Sequence, residues 1–269
     1  MKLIKQDFKI ENQTNFTLVG IKKFIEKCSR VCYKSEDKIT EDSYIKFVDN
    51  LIKNDHGRTL EFGTVYLTVP NKGTTKWLPI LWKLMKNPYT IINSDEKNDY
   101  ITTNYRVIID NHFEDILKFL SEPTELHAKR HTVHFTLSRA ILDEFRTHVR
   151  LSHLAESTRY CNYNKDKFGN ELTFILPHWW YEAKWNVRQF YTKACRDLEN
   201  RYIALSKSLK PQDARDILPL GIKSELISCG FDNDWENFFY RRDNIAAHPM
   251  AQQVAKPLYE EFKKRGYCK

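Results

Sequence analysis

Glycine is scarce in this sequence, and its scarcity excludes several kinds of phosphate-binding site. The chain has eight glycines among 269 residues, and neither G-x-G-x-x-G nor G-x-x-x-x-G-K-[ST] can be built from them. No G-x-S-x-G motif occurs either, so a hydrolase with that nucleophile motif is unsupported. Any phosphate group must therefore be held by side chains and helix ends rather than by a glycine-rich loop.

Long apolar runs and paired cysteines are also missing. No run approaches the ~18 residues that a membrane-spanning helix needs, and the opening MKLIKQDFKIENQTNF has no apolar signal-peptide segment. The six cysteines form no C-x-x-C pair, which argues against a zinc site. We therefore predict reduced thiols, no metal site, no membrane association and a cytoplasmic location.

Acidic residues are outnumbered by basic ones. The 43 lysines and arginines exceed the 35 aspartates and glutamates by eight, which gives a formal net charge of +8. Such a balance suits anionic partners, such as nucleotides, dinucleotides or nucleic acid, but a merely soluble basic surface has the same total.

The hydrophobic pattern predicts strands mainly in the first half of the chain and helices mainly in the second. Strands are predicted over 64–69, 100–109 and 132–137. Helices are predicted over 16–28, 40–54, within 71–90, and over 138–148, 187–205, 211–218, 234–242 and 248–264. This segregation predicts one α+β domain over residues 1–269, with an antiparallel or mixed sheet flanked by helices and a helix-rich C-terminal half.

Two details of the C-terminal helices follow from the same pattern. In the helix over 187–205, Val187, Phe190 and Tyr202 recur at helical spacing and are expected to face the core. Pro257 lies inside the last predicted helix, which we expect it to kink or end.

The stretch FRTHVRLSHLAESTRYCNY, residues 145–163, gathers polar side chains directly after an apolar helical segment. Within it, AESTRY (155–160) places Ser157 and Thr158 beside Arg159. Two hydroxyl groups and a guanidinium group can together bind a phosphate group without a glycine-rich loop. The alternative is a solvated helix face followed by a polar loop.

This stretch resembles the signature of the flavin-dependent thymidylate synthases. Ser157, Arg159 and Tyr160 match the end of the family motif, Ser152 an internal serine, and His148 the central histidine of R-H-R. Other family segments are matched, in order, by SRVCY (29–33), HGRTLEFGTVYLTV (56–69), ARDILPL (214–220), WENFFYRR (235–242) and AHPMAQ (247–252). The region from about 70 to 130 is longer than in compact members of the family.

The sequence departs from the family pattern at three places. Thr147 and Val149 stand where the two arginines of R-H-R are expected, with Arg146 and Arg150 just outside them. Either these arginines replace the motif arginines, or flavin and substrate are held differently. Phe62 replaces a histidine after the Leu-Glu pair, and the family's Asn-x-Arg falls on Phe231 and Asn233.

The resemblance implies an activity, cofactors and an assembly. Family members convert dUMP to dTMP with methylenetetrahydrofolate as carbon donor, NADPH as reductant and FAD as hydride carrier, and they use no cysteine nucleophile. They are homotetramers with active sites between subunits. We expect the same here, with no stable nucleic-acid partner.

The resemblance also implies roles for single residues. The expected catalytic residues are Arg242 and Ser157. The expected dUMP-binding residues are Glu144, Ser157, Thr158, Arg159, Arg215 and Arg242, with the Glu144 carboxylate paired to Arg146 or His148. The expected flavin-binding residues are Arg58, Arg146, His148, Arg150, Glu156, Asn233 and Asn237.

Two other functions stay open. The altered R-H-R motif suits a divergent enzyme of the same fold that alkylates C5 of another uridine nucleotide or yields a hydroxymethyl product. A protein that binds nucleotide or RNA without catalysis is the second alternative, and it predicts no bound flavin.

Overall fold

The computed structural model describes residues 1–71, 75–165 and 168–268 of the chain. The strands are β1 (Lys2–Ile4), β2 (Asp7–Ile10), β3 (Thr64–Pro70), β4 (Ile91–Ser94), β5 (Asn98–Asn104), β6 (Arg130–Ser138), β7 (Ser152–Ala155), β8 (Thr173–Ile175) and β9 (Lys223–Phe231). The helices are α1 (Leu18–Val31), α2 (Ser43–Lys53), α3 (Gly57–Leu60), α4 (Leu78–Met85), α5 (Tyr105–Asp110), α6 (Arg139–Phe145), α7 (Trp185–Ser206), α8 (Pro211–Ala214), α9 (Asp232–Arg242) and α10 (Pro249–Lys264).

A four-stranded antiparallel sheet with the strand order β2-β6-β9-β7 carries the polar motif. Its two central strands pair along their full length, from Arg130 opposite Phe231 to Ser138 opposite Lys223. Strands β1 and β8 form a separate parallel pair. The predicted α+β class, with antiparallel and parallel strands and a helix-rich C-terminal half, is confirmed.

Strand β9, in the second half of the chain, was not among the predicted strands. Its residues from Ser224 to Phe231 are all buried, because it lies in the middle of the sheet. A strand covered on both faces has no polar face, so it shows no alternation, and Ser228 and Gly230 also interrupt its apolar run.

The main hydrophobic core lies between this sheet and α6, α9 and α10. Phe135 of β6, Phe145 of α6 and Phe238 of α9 meet there with centroid distances from 4.8 to 6.2 Å. Helix α6 points its apolar face to this core, as its periodicity predicts. The core therefore fixes α6 and α9, the two helices that flank the polar motif.

A second core belongs to the N-terminal half and includes the long region at about 70–130. There β3, β5 and β4 form a three-stranded sheet, and buried residues from Ile21 to Ile116 cover it. A smaller cluster joins the two halves, since Phe24 and Cys28 of α1 pack with Phe62, Leu154 of β7 and Ile227 of β9.

The strand predicted over 100–109 is correct in its first half alone. Strand β5 ends at Asn104, and α5 starts at Tyr105. The side chain of Asn104 accepts a hydrogen bond of 3.1 Å from the backbone N–H of Val107. An asparagine in this role caps a helix, which explains why the apolar residues that follow are helical.

The apolar face predicted for α7 is wrong at its N-terminal end. Val187 is 43% exposed and Phe190 is 73% exposed, whereas Tyr202 is buried as predicted. The buried side of α7 instead carries Cys195 and Glu199, and the Glu199 carboxylate accepts from the backbone N–H of Leu172.

Helix α10 continues through Pro257 to Lys264, so of the two expected effects, a kink or an end, this proline does not end the helix. Leu258 and Phe262 follow the proline and are fully buried in the main core. Their burial outweighs the one backbone hydrogen bond that proline cannot donate. In the part of the chain that the structure describes, no helix is both long and apolar enough to cross a membrane.

Candidate active site

The turn after β7 brings two distant motif segments together. The backbone N–H of Ser157 donates a 2.9 Å hydrogen bond to the carbonyl oxygen of Cys32, at the end of α1. Tyr33 and Tyr160 place their rings 5.3 Å apart. The segments SRVCY and ESTRY, which are far apart in the sequence, therefore form one wall.

This wall borders a cavity of about 400 Å³, here called cavity A. The polar residues of its lining that bear on function are Arg139, Arg146, Ser157, Thr158, Arg159 and Arg215. Arg215 donates to the Thr158 hydroxyl at 3.5 Å, and the Ser157 hydroxyl accepts from the backbone N–H of Arg159 at 3.3 Å. The structure thus assembles the predicted cradle of hydroxyls and guanidinium groups.

A second cavity of about 430 Å³, cavity B, lies between the chain at 147–151 and helix α9. Its lining includes His148, Arg150, Asn233, Asn237, Arg241 and Arg242. Asn233, Asn237 and Arg241 recur every four residues on α9, so they share one face of the helix. Arg241 was not among the predicted residues, although its spacing from the two asparagines could have indicated it.

Arg242 is held firmly at the edge of cavity B. Its guanidinium pairs with the Glu144 carboxylate at 3.0 Å and donates to the Glu144 carbonyl at 2.7 Å. It also donates to the Thr147 hydroxyl at 2.9 Å and to Nε2 of His148 at 2.9 Å. Glu144 therefore pairs with Arg242, which corrects the expected pairing with Arg146 or His148.

Two buried histidines connect the cavities. His153 lines cavity A, and its Nε2 lies 3.0 Å from the backbone oxygen of His148, which lines cavity B. Burial, with the charge of Arg242 next in importance, lowers the pKa of His148 to about 4. Burial likewise lowers the pKa of His153 to about 4, despite the hydrogen bond to His148.

Both histidines are consequently neutral at pH 7. Because Arg242 donates to Nε2 of His148, the proton of this imidazole belongs on Nδ1. His153 donates to the His148 carbonyl through Nε2 and accepts from the Ser228 hydroxyl at 2.9 Å through Nδ1. His153 was not predicted, although it lies inside the motif.

Glu156 lies beside Ser157, but its carboxylate is directed into the protein. The side chain is fully buried, and its two oxygens accept from the Tyr163 hydroxyl at 2.9 Å and from Lys223 at 3.1 Å. Neither Tyr163 nor Lys223 was predicted, because no local pattern links them to the motif.

Other positions singled out in the sequence are placed differently from their expected roles. The structure places Arg146, expected on the flavin side, in cavity A and Arg242, expected at the substrate, in cavity B. Arg58 is exposed on α3 and lines neither cavity, although its charge helps to lower the pKa of His153. Phe62 is completely buried and lines neither cavity.

The donor groups of cavity B fit the chemistry of a flavin nucleotide. Arginines suit its phosphates, and asparagine amides and a neutral histidine suit the polar edge of a ring system. A metal ion has no comparable site, since no three His, Cys, Asp or Glu side chains are grouped to hold one in residues 1–71, 75–165 and 168–268.

The fold and these two cavities define an α+β protein with two neighbouring cavities that are rich in arginine, hydroxyl and amide groups. The family model described as "Thymidylate synthase complementing protein" matches residues 93–265, and the chain belongs to this family. The predicted family membership is thereby confirmed, and the match begins within β4, after helix α4.

Among solved structures, a UMP/dUMP methylase, PolB from Streptomyces cacaoi, bound with 5-Br dUMP, is similar to the chain. The identity is 14% and the TM-score 0.47, and the match covers 100% of this chain and 93% of the other. No curated protein matches the chain.

Proposed function

We propose that the protein is a flavin-dependent thymidylate synthase that methylates dUMP at C5 to give dTMP. Methylenetetrahydrofolate would supply the carbon and NADPH the reducing equivalents. The observation that carries the proposal is the convergence of Ser157, Thr158, Arg159 and Arg215 in cavity A of a chain of this family.

Cavity A would bind the phosphate of dUMP. A guanidinium group forms charge-assisted, often bidentate, hydrogen bonds with phosphate, and serine and threonine hydroxyls complete the shell. Arg159 and Arg215 come from segments 56 residues apart, and the bond from Arg215 to Thr158 brings them to the same ligand position. Ser157 would act at this site as a phosphate ligand whose hydroxyl is already oriented by the turn.

Arg242 would stabilise the transition state. Its guanidinium is held by Glu144, Thr147 and His148, so it would not need to reorganise during the reaction. A fixed cation near the uracil ring would stabilise the negative charge that builds up there as C5 becomes nucleophilic.

Cavity B would hold FAD, which supplies hydride-transfer chemistry when bound. Arg150 and Arg241 would bind its phosphates, and His148, Asn233 and Asn237 would form hydrogen bonds to its polar atoms. Because His148 is neutral, it would add no charge next to Arg242.

Cys161 and Cys32, the cysteines nearest the candidate site, are poorly suited to nucleophilic catalysis, as the family resemblance implies. Cys161, next to the motif, is 1% exposed, and burial raises the pKa of Cys32, in cavity A, to about 12. A thiol with so high a pKa carries almost no thiolate at pH 7.

The alternatives differ from this proposal in product or in flavin content. Thr147 and Val149, in place of two motif arginines, motivate a divergent enzyme that acts on another uridine nucleotide or adds a hydroxymethyl group. A protein that binds nucleotide or RNA without catalysis would carry no flavin, and its affinity for polynucleotide would fall steeply with salt.

The decisive experiment is an anaerobic incubation with dUMP, methylenetetrahydrofolate, FAD and NADPH, followed by mass spectrometry of the nucleotide. We expect a product with one added methyl group. A hydroxymethyl product would favour the divergent enzyme. If no product forms and no flavin is bound, the alternative of a non-catalytic binding protein is supported. If no product forms although flavin is bound, the enzyme acts on another acceptor.

A further inference from the structure

A network of buried charges lies directly behind cavity A. Glu156 pairs with Lys223, and Lys223 also contacts Glu225. Glu225 in turn pairs with Lys34 at 2.8 Å and with His134 at 2.8 Å. Burial raises the pKa of Glu225, but the hydrogen bond from His134 and the charges of Lys223 and Lys34 outweigh it and hold that pKa well below its usual range.

The network joins three segments of the candidate site. Lys34 follows α1 in the left-handed backbone region, with φ of 48°. Lys223 and Glu225 belong to β9, and Glu156 follows β7. The backbone N–H of Glu156 also donates to the carbonyl of Glu225 at 2.8 Å, so the start of the Ser157 turn is fixed both by its main chain and by its side chain.

Glu156 poses an electrostatic problem for an anionic ligand. In the described part of the chain, Glu156 is the one acidic residue among those that line cavity A. A buried carboxylate next to a phosphate group would repel it, unless a cation neutralises the carboxylate and holds it away. Lys223 and the Tyr163 hydroxyl occupy its two oxygens.

We propose that Lys223 is a positioning residue for anion binding: it neutralises Glu156 and keeps this carboxylate directed away from the phosphate in cavity A. Insofar as the ligand is dUMP, the inference rests on the proposed function. It gives Glu156 a role in the substrate cavity, in contrast to the flavin contact that the family resemblance implies.

Removal of Lys223 isolates this effect because the rest of the network keeps its pairs. Glu225 retains Lys34 and His134, whereas Glu156 loses its ion pair with Lys223. The expected loss of anion binding therefore comes from the unpaired Glu156 carboxylate. A second substitution that removes the charge of Glu156 should restore binding.

The test measures binding of dUMP and of inorganic phosphate by calorimetry, from pH 6 to 9, for wild type, Lys223→Met, Glu156→Gln and the double variant. For Lys223→Met we expect binding to be weakened at least about tenfold at pH 8. The double variant should bind within about threefold of wild type.

Controls separate positioning from folding. Lys2→Met removes an exposed lysine that pairs with Glu171, and it should bind like wild type. Lys223→Arg should restore binding, and thermal melting reports whether each variant folds. If Lys223→Met does not fold, Tyr163→Phe, which removes the other donor to Glu156 without a change of charge, should still weaken binding, by a smaller factor.

Equal binding by wild type and folded Lys223→Met would overturn the inference, and so would a double variant as weak as the single one. Loss of bound flavin in Glu156→Gln, with nucleotide binding intact, would also overturn it in favour of a flavin contact. If wild type binds phosphate but not dUMP, the proposed function fails while the phosphate series still tests Lys223. If wild type binds neither ligand, both proposals fail.

Discussion

Single residues in this protein owe their proposed roles to partners that are distant in the sequence. Arg242 meets Glu144 across 98 residues, and it shares a hydrogen bond with His148 across 94. The sequence predicted both Arg242 and His148 as site residues through the family motif. It did not predict their contact, because no periodicity relates two segments that meet through tertiary packing.

Replacement of Arg242 by alanine should lower kcat at least about 100-fold, because a prearranged cation would be lost from the position where charge develops. Flavin should stay bound, since Arg150, Arg241 and the two asparagines of cavity B remain. Steady-state kinetics and the visible absorbance of bound flavin measure the two effects. Arg265→Ala, on a surface pair with Glu261, is the control; retained turnover in Arg242→Ala would remove Arg242 from the mechanism.

The two buried histidines should make the protein less stable in mild acid. Their pKa values of about 4 in the fold lie below the ordinary histidine value of 6.5. Unfolded chains therefore bind protons that the folded protein does not. The contribution of the two neutral histidines to the free energy of unfolding is fully present above pH 6.5 and falls as the pH drops toward 4. Thermal melts over this range should show the decline. His153→Gln should flatten it, whereas His178→Gln, at an exposed histidine, should not.

At the scale of elements, the spacing of apolar residues predicted one helix face correctly and missed two other elements. Helix α6 buries Ile141, Leu142 and Phe145, as its spacing predicts. Strand β9 was missed because a doubly covered strand has no alternation, and α5 was missed because a cap, not periodicity, sets its start.

The Asn104 cap gives a test at this scale. Asn104→Ala should reduce the free energy of unfolding by about 1–2 kcal/mol, because the side chain is buried and bonds to the N–H of Val107. Asp42→Ala is a matched control, since Asp42 precedes α2 without a side-chain capping bond. Urea unfolding of both variants measures the difference, and equal losses would mean that the cap contributes little.

At the scale of the whole molecule, a group of exposed apolar residues at the N-terminal end of α7 supports a proposal about assembly. Trp185, Val187 and Phe190 are 70%, 43% and 73% exposed on one long helix. Large exposed apolar side chains in such a group are typical of interfaces. We propose that a second copy of the chain covers them in a homotetramer with active sites between subunits, as the family resemblance implies.

A charge placed among these exposed apolar residues of α7 should disrupt the assembly. Phe190→Glu is expected to shift the particle from the mass of a tetramer to that of a dimer or monomer, because a buried unpaired carboxylate is costly. Light scattering coupled to size-exclusion chromatography measures the mass. Ile45→Glu, at a partly exposed residue of α2, should leave it unchanged; an unaltered tetramer in Phe190→Glu would place the interface elsewhere.

The sequence by itself determined the family and the α+β class, because the motif segments and the hydrophobic pattern are local. It also predicted the cradle of Ser157, Thr158 and Arg159, which the structure places together in the lining of cavity A. The tertiary structure alone decided that Glu144 holds Arg242 and that Lys223 reaches Glu156 across 67 residues. Such contacts depend on strand register and helix packing. These arise from the sum of many weak interactions along the chain, so no single motif encodes them.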